Sequence, residues 1–231
     1  MTAIRSRMED AARRAGRSPD EVRLVSVTKT VGQGIIRRLI DLGATDLGEN
    51  RVAVAEPKIE ALSGPDGPTW HLVGHLQSNK VRRAVRSFSW IHSVDSVGLL
   101  DRIDRVAREE SRRPRLLLQV NVADEAQKHG VDVEALPALA DRAAAADAVE
   151  TVGLMAMAPF GDEPEASRRW FARLRELRDR FAPRFPGGLP HLSMGMTNDF
   201  EVAVEEGATL VRVGRALFDG VEADEAPSDG A

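Results

Sequence analysis

VRLVSVTK, residues 22–29, is an apolar run of strand length that closes on a lysine. Its β-branched residues and short span suit a strand covered on both faces. Seven more such runs follow: TDLG (45–48), WHLVG (70–74), WIHSV (90–94), RLLLQVNV (115–122), TVGLMAM (151–157), HLSMG (191–195) and LVRVG (210–214). Between them, apolar residues recur every three or four positions, as on one face of a helix. Ile35, Leu39 and Leu42 make one such stripe, and Ala55, Ile59 and Leu62 another. Leu99, Ile103 and Val106 follow, then Leu136, Leu139 and Ala143, and the clearest is Trp170, Leu174, Leu177 and Phe181. Strand followed by helix, eight times over, predicts an α/β protein with a single (β/α)8 TIM barrel. An open doubly wound sheet shares the alternation, but no GxGxxG turn follows the first strand, where a dinucleotide fold places one.

Composition narrows the function. The 231 residues are 42% hydrophobic, enough for one large core, and the net charge of -4 leaves no basic stripe for nucleic acid. Cysteine is absent, which removes disulfides, thiolate metal sites and cysteine nucleophiles, and is compatible with a reducing cytoplasm, the expected location. Tyrosine is absent too, and with it one common acid/base group. The opening MTAIRSRMEDAARRAGRSPDEV reads as an amphipathic helix rather than a targeting segment. No apolar stretch has the length of a membrane span. The expected domain covers residues 1–220, and the small, acidic, proline-bearing residues 221–231 are expected to be a disordered tail.

In such barrels chemistry collects at the carboxyl ends of the strands. There the sequence places Lys29, Glu49 and Asn50, His75, Ser93 and Asp95, Asn121, Met157, Ser193, and Arg212 with Gly214. Lys29 is one of four lysines among thirty-two basic residues. A strand-end lysine can simply carry its charge into solvent, but an apolar surrounding favours the neutral amine, which condenses with an aldehyde. Two later stretches, LSMGMTND (192–199) and VRVGRALFDG (211–220), put small residues before helix starts, where backbone amides bind phosphate well. Sites after the seventh and eighth strands are the usual phosphate position in this fold.

The set VSVTKT, LGEN, WHLVGHLQSNK, QVNVADEAQKHG, GLMAM, LSMGMTND and VRVGRALF resembles the pyridoxal 5′-phosphate homeostasis protein family, in register from about Val22 to Phe218. The resemblance implies one barrel similar to the amino-terminal domain of alanine racemase. It implies pyridoxal 5′-phosphate held by Lys29 as an internal aldimine, with its phosphate on Ser193, Gly195, Met196, Thr197 and Gly214. Thr197 stands where the family more often has serine, and keeps the hydroxyl. Asn50 would lie near the ring or its hydroxyl, His75 and Met157 beside the cofactor, and Glu49 would be an interior charge paired with Arg212 or Lys29. Arg212 would face the pyridine nitrogen; a permanent donor there suits an unprotonated ring and argues against aminotransferase chemistry.

A racemase needs a second acid/base group, which that family takes from a tyrosine in an additional domain; this chain has no tyrosine. Cofactor storage and delivery in vitamin B6 homeostasis is therefore the expected function, without strong catalysis. Pyridoxal phosphate-dependent apoenzymes are the expected recipients, and the chain is expected to be a monomer that binds no metal. A racemase-like enzyme and a Schiff-base sugar-phosphate lyase are the alternatives.

Overall fold

The computed structural model describes residues 1–64, 67–125, 129–159 and 163–220; the expected tail lies outside the described residues. Nine strands are formed: β1 (Arg23–Val27), β2 (Asp46–Glu49), β3 (Thr69–Leu72), β4 (Trp90–Val94), β5 (Arg115–Asn121), β6 (Val131–Asp132), β7 (Glu150–Met155), β8 (His191–Ser193) and β9 (Leu210–Val213). Every pairing is parallel. The order β4-β3-β2-β1-β9-β8-β7-β5 is closed by a β4–β5 pairing, so eight strands make a complete barrel. The ninth, β6, pairs only with β5 through Val120–Val131 and Asn121–Asp132. Two residues are too few to show a period, so this strand has no signature among the apolar runs.

The helices are α1 (Thr2–Arg14), α2 (Gln33–Asp41), α3 (Val52–Leu62), α4 (Val81–Ser87), α5 (Val97–Glu109), α6 (Leu136–Ala144), α7 (Arg168–Phe181) and α8 (Phe200–Glu205). Among the described residues only a 3-10 turn, Arg215–Leu217, follows β9. The amino-terminal helix fills the vacant place in the ring. Ile4, Met8, Ala11 and Ala12 of α1 are buried. Arg7 and Arg14 pair with Glu201 and Glu205 of α8, while Arg5 reaches the Gly43 carbonyl just past α2.

Three stripes differ from expectation. In α3 the buried residues are Val52, Ala55 and Lys58, and Ile59 and Leu62 are only part-buried. Leu42 is the C-cap of α2 and is 64% exposed, so the buried face is Ile35, Ile36 and Leu39. In α7 the buried residues are Phe171, Leu174, Leu177 and Phe181. Trp170 sits at the edge of that face, half-buried, with the Arg169 guanidinium 4.4 Å from its ring centre. Leu42 fits the spacing but falls past the end of α2, whereas in α3 and α7 the buried position is taken by a neighbour one step round the helix.

The barrel interior is a separate apolar layer of Val25, Trp90, Leu117, Val152, Met155 and Leu210. Trp90 fills it near the amino-terminal mouth, 1% exposed, against His71 with ring centres 5.2 Å apart and His191 at 5.1 Å. The period of two along β1 puts Val25 in this interior and carries through Val27 to Lys29, both of which line the upper cavity. Ser26 and Thr28 take the other side, toward the helices. Strand parity therefore aims Lys29 at the carboxyl-terminal mouth. No helix among the described residues is long and apolar enough to cross a membrane.

Candidate functional site

A cavity of about 560 Å³ opens at that mouth. Of the residues expected there, Lys29, Asn50, His75, Met157, Met196, Thr197, Arg212 and Gly214 line it. Ser193 and Gly195 do not. Ser193 is fully buried beneath it, and Gly195 shapes a turn.

Lys29 is exposed, and its amine has no hydrogen-bond or ion-pair partner among the described residues. The apolar burial expected of it belongs instead to Lys58. That residue, 2% exposed, projects from α3 and donates to Glu49 Oε1 at 2.7 Å and to the Thr28 carbonyl at 2.8 Å. Thr28 adds its hydroxyl to the same Glu49 oxygen at 2.7 Å. Glu49 thus pairs with Lys58, not with Lys29 or Arg212. The buried pair clamps the backbone at the residue before Lys29.

The turn after β8 is closed by Asp199, whose Oδ1 accepts the Met196 N–H at 2.7 Å and whose Oδ2 accepts the Ser167 hydroxyl at 3.2 Å. One amide of the expected phosphate cradle is therefore already occupied. The N–H groups of Thr197 and Asn198 meet no acceptor among the described residues and lie at the cavity. Gly195 has φ +88°, and a Cβ there would sit 2.5 Å from the Ala203 Cβ, so only glycine makes this turn. Gly74, which the sequence reading passed over, lies so close to Asn50 that a Cβ would meet its carbonyl oxygen at 2.3 Å. Gly214 and Arg215 bring the turn after β9 to the same wall.

Arg212 is 5% exposed. Its Nη1 donates to Ser193 Oγ at 2.6 Å and its Nη2 to the Ala156 carbonyl at 3.0 Å. Burial lowers its pKa to about 10, which still leaves it charged at neutral pH. Below it a hydrogen-bonded chain runs down the barrel interior. Ser193 Oγ meets His92 Nδ1 at 2.9 Å, His92 Nε2 meets His71 Nδ1 at 2.9 Å, and His71 Nε2 meets Asp46 Oδ1 at 2.8 Å. Arg23 closes the lower end by pairing with Asp46.

Burial works against the Asp46 carboxylate, but the hydrogen bond from His71 and the charge and hydrogen bond of Arg23 outweigh it and hold its pKa below the ordinary value. Asp46 is therefore an acceptor, which makes His71 Nε2 a donor. Burial outweighs the opposing pull of Asp46 and keeps His71 neutral; burial, the cost of placing a second proton beside His71, and the charge of Arg212 push His92 well down. Each neutral ring must accept on its other nitrogen. One direction satisfies all members: Arg212 donates to Ser193, Ser193 to His92, His92 to His71 and His71 to Asp46. None of these partners could be read from the sequence, because they come from five strands.

These histidines set a pH dependence. In the unfolded chain they titrate near 6.5. As the pH falls through that value the unfolded chain binds protons that the barrel refuses, so the stability they contribute, fully present above it, is progressively lost. Between pH 7 and pH 5.5 the unfolding free energy is expected to fall, by at most about 2.5 kcal/mol from this pair. Urea midpoints at the two values measure it, and unchanged midpoints would show that the rings already carry protons in the folded barrel.

At the far wall, His75 Nδ1 lies 3.5 Å from Asp95 Oδ2, and the rings of His75 and His129 stack with centres 4.2 Å apart. Gln119, buried in β5, donates to the His129 carbonyl at 3.0 Å. Asn121 pins the same connection through the backbone of Glu125. The sequence showed no metal-ligand constellation, yet the structure brings together three side chains that could form one.

A closed parallel barrel with a lysine at the end of its first strand and two turns converging after its last strands is the architecture of the alanine racemase N-terminal domain, whose family model matches residues 1–221. The alanine racemase of Bartonella henselae, solved with covalently bound pyridoxal phosphate, shares that fold at 14% identity and a TM-score of 0.70, over 94% of this chain and 58% of the racemase chain. The pyridoxal phosphate homeostasis protein of Aquifex aeolicus is 40% identical over 218 residues, covering 94% of this chain and 95% of its relative. PipY of Synechococcus elongatus, solved with pyridoxal phosphate bound, is 38% identical with a TM-score of 0.78, over 92% of this chain and 99% of PipY. The chain belongs to the pyridoxal phosphate homeostasis protein family.

Proposed function

We propose that the cavity holds pyridoxal 5′-phosphate, joined through its aldehyde to Lys29, and that the chain stores and delivers this cofactor in vitamin B6 homeostasis without strong catalytic activity. One observation carries the reading: an unpartnered lysine amine shares a cavity with two converging strand-to-helix turns and a buried, charged arginine. The cofactor, when bound, supplies an aldehyde that amines can load and unload. Everything else is done by the chain. Lys29 supplies the amine, and the Lys58–Glu49 pair fixes the backbone beside it. Thr197, Asn198, Gly214 and Arg215 offer N–H groups and a cation to the phosphate, with Met196 at the same turn. Asn50, His75 and Met157 wall the ring. Arg212, held by Ser193 and Ala156, presents a permanent donor to the ring nitrogen and keeps that nitrogen unprotonated.

The racemase reading lacks its second acid/base group, since no tyrosine is present. The bound cofactor in PipY and the names of the relatives favour the carrier over a sugar-phosphate lyase. Within the same reading the chain works in the cytoplasm as a monomer and hands the cofactor to apoenzymes.

Adding pyridoxal 5′-phosphate to the purified protein is expected to produce a visible absorption band; a protein that stays colourless sinks the proposal. Pyridoxal, which lacks the phosphate, is expected to bind at least about a hundredfold more weakly, since two charge-assisted hydrogen bonds are worth roughly 3 kcal/mol together. Equal affinity for the two would remove the turns after β8 and β9 from the site. Deuterium exchange at the α-carbon of a panel of amino acids tests the non-catalytic part, and clear exchange there would overturn it.

A further inference from the structure

His75, Asp95 and His129 lie in the connections that follow β3, β4 and β5, His129 just before β6, and meet on the side of the cavity away from the phosphate turns. One ligand atom from each lies within 4.8 Å of the other two. The histidine rings stack nearly parallel, 13° apart with centres 4.2 Å apart, so their in-plane lone pairs do not yet converge, and one ring must turn about its side-chain torsions before both nitrogens face one ion. In a tetrahedral zinc site, ligand atoms about 2.0–2.1 Å from the metal are about 3.3 Å from each other. His75 and Asp95 are already at 3.5 Å, and the third atom must close by up to about 1.5 Å. His75 and His129 are exposed and Asp95 is only part-buried, so an imidazole ring can leave the stack and turn toward the ion without disturbing the core. The His129 backbone is already tied to the barrel by Gln119.

A simpler account also fits these contacts: Asp95 orients His75, and the two rings stack for their own sake. That account explains each contact alone. It gives no reason for two imidazoles and a carboxylate from separate connections to converge on one point.

We propose that His75, Asp95 and His129 form a three-ligand site for a divalent transition metal at the mouth of the cavity. Two imidazoles and one carboxylate favour zinc, cobalt or nickel over magnesium or calcium, which prefer all-oxygen shells. Three protein ligands leave a fourth position open toward the cavity, where water completes the shell. The proposal stands apart from the cofactor reading. His75 lines the cofactor cavity, but the metal needs no cofactor to bind.

The test is a titration of the full-length chain, freed of pyridoxal phosphate, with Co²⁺, followed by visible absorption and calorimetry. One equivalent is expected to bind with a tetrahedral cobalt band. His129→Ala and Asp95→Asn are each expected to weaken binding at least about tenfold, since even outer-shell partners are worth that much. The exposed position of His129 makes misfolding of the His129→Ala protein an unsuitable explanation for a loss, and an unchanged urea midpoint confirms it. Absence of a cobalt band, or binding that survives both substitutions undiminished, overturns the site.

Discussion

Lys29→Ala is expected to abolish the visible absorption band that the wild-type protein gains with pyridoxal 5′-phosphate. The effect is total because the band reports a covalent link to one amine, and no other lysine among the described residues lines the cavity. Lys58, the buried lysine nearest in sequence, is already committed to Glu49 and the Thr28 carbonyl. The phosphate turns remain intact, so the substituted protein still binds the cofactor weakly, with the absorption of the free aldehyde and without the shifted band of the covalent link. Its stability stays within about 0.5 kcal/mol of wild type, as for other exposed side chains without partners. Thermal unfolding of the cofactor-free proteins separates this from a folding defect. A band of undiminished intensity in Lys29→Ala would move the attachment elsewhere.

Lys58→Met is the substitution expected to cost most in stability. It removes the ammonium from Glu49, a residue with no exposed surface, and leaves the carboxylate with the Thr28 hydroxyl as its remaining partner. Breaking a buried ion pair from one side costs about 3 to 5 kcal/mol, because the other charge remains desolvated. The Thr28 carbonyl also loses its donor, so the backbone next to Lys29 loosens and cofactor affinity falls as well. Replacing both members, Lys58→Met with Glu49→Leu, is expected to recover most of the stability, since no charge is then stranded. Cofactor affinity recovers less, because nothing then holds the Thr28 carbonyl. Denaturant unfolding of the three variants gives the cycle; a single Lys58→Met variant as stable as the double one would show that the pair contributes little.

Lys58 also shows where a sequence stops speaking. The eight apolar runs and the stripes between them carry the barrel, because strand and helix periods are local and each is repeated many times. The same periodicity placed Lys29, Asn50, His75, Met157, Arg212 and Gly214 at one mouth, since parallel strands of a barrel share one carboxyl end. The charge partners are different. Glu49 could be recognised as an interior charge, but its choice of Lys58 over Lys29 depends on which side of α3 faces β2, and α3 has three buried residues on an unusually apolar helix. Ser193 read as a phosphate ligand because a small hydroxyl before a glycine fits that role. Its inward direction at the end of β8 instead makes it the link between Arg212 and His92. Asp199 could have been suspected from its place just before a helix, where a carboxylate accepts backbone N–H groups. The His75, Asp95 and His129 cluster had no such signal, because its members are spread over three connections.

The central claim is that Lys29, alone among the four lysines of the chain, carries the cofactor. Borohydride reduction of the protein loaded with one equivalent of pyridoxal 5′-phosphate, followed by peptide mapping, tests it directly. A single modified peptide containing Lys29 is the predicted result. Modification at any of the other three lysines in its place, or no fixed label at all, would contradict it.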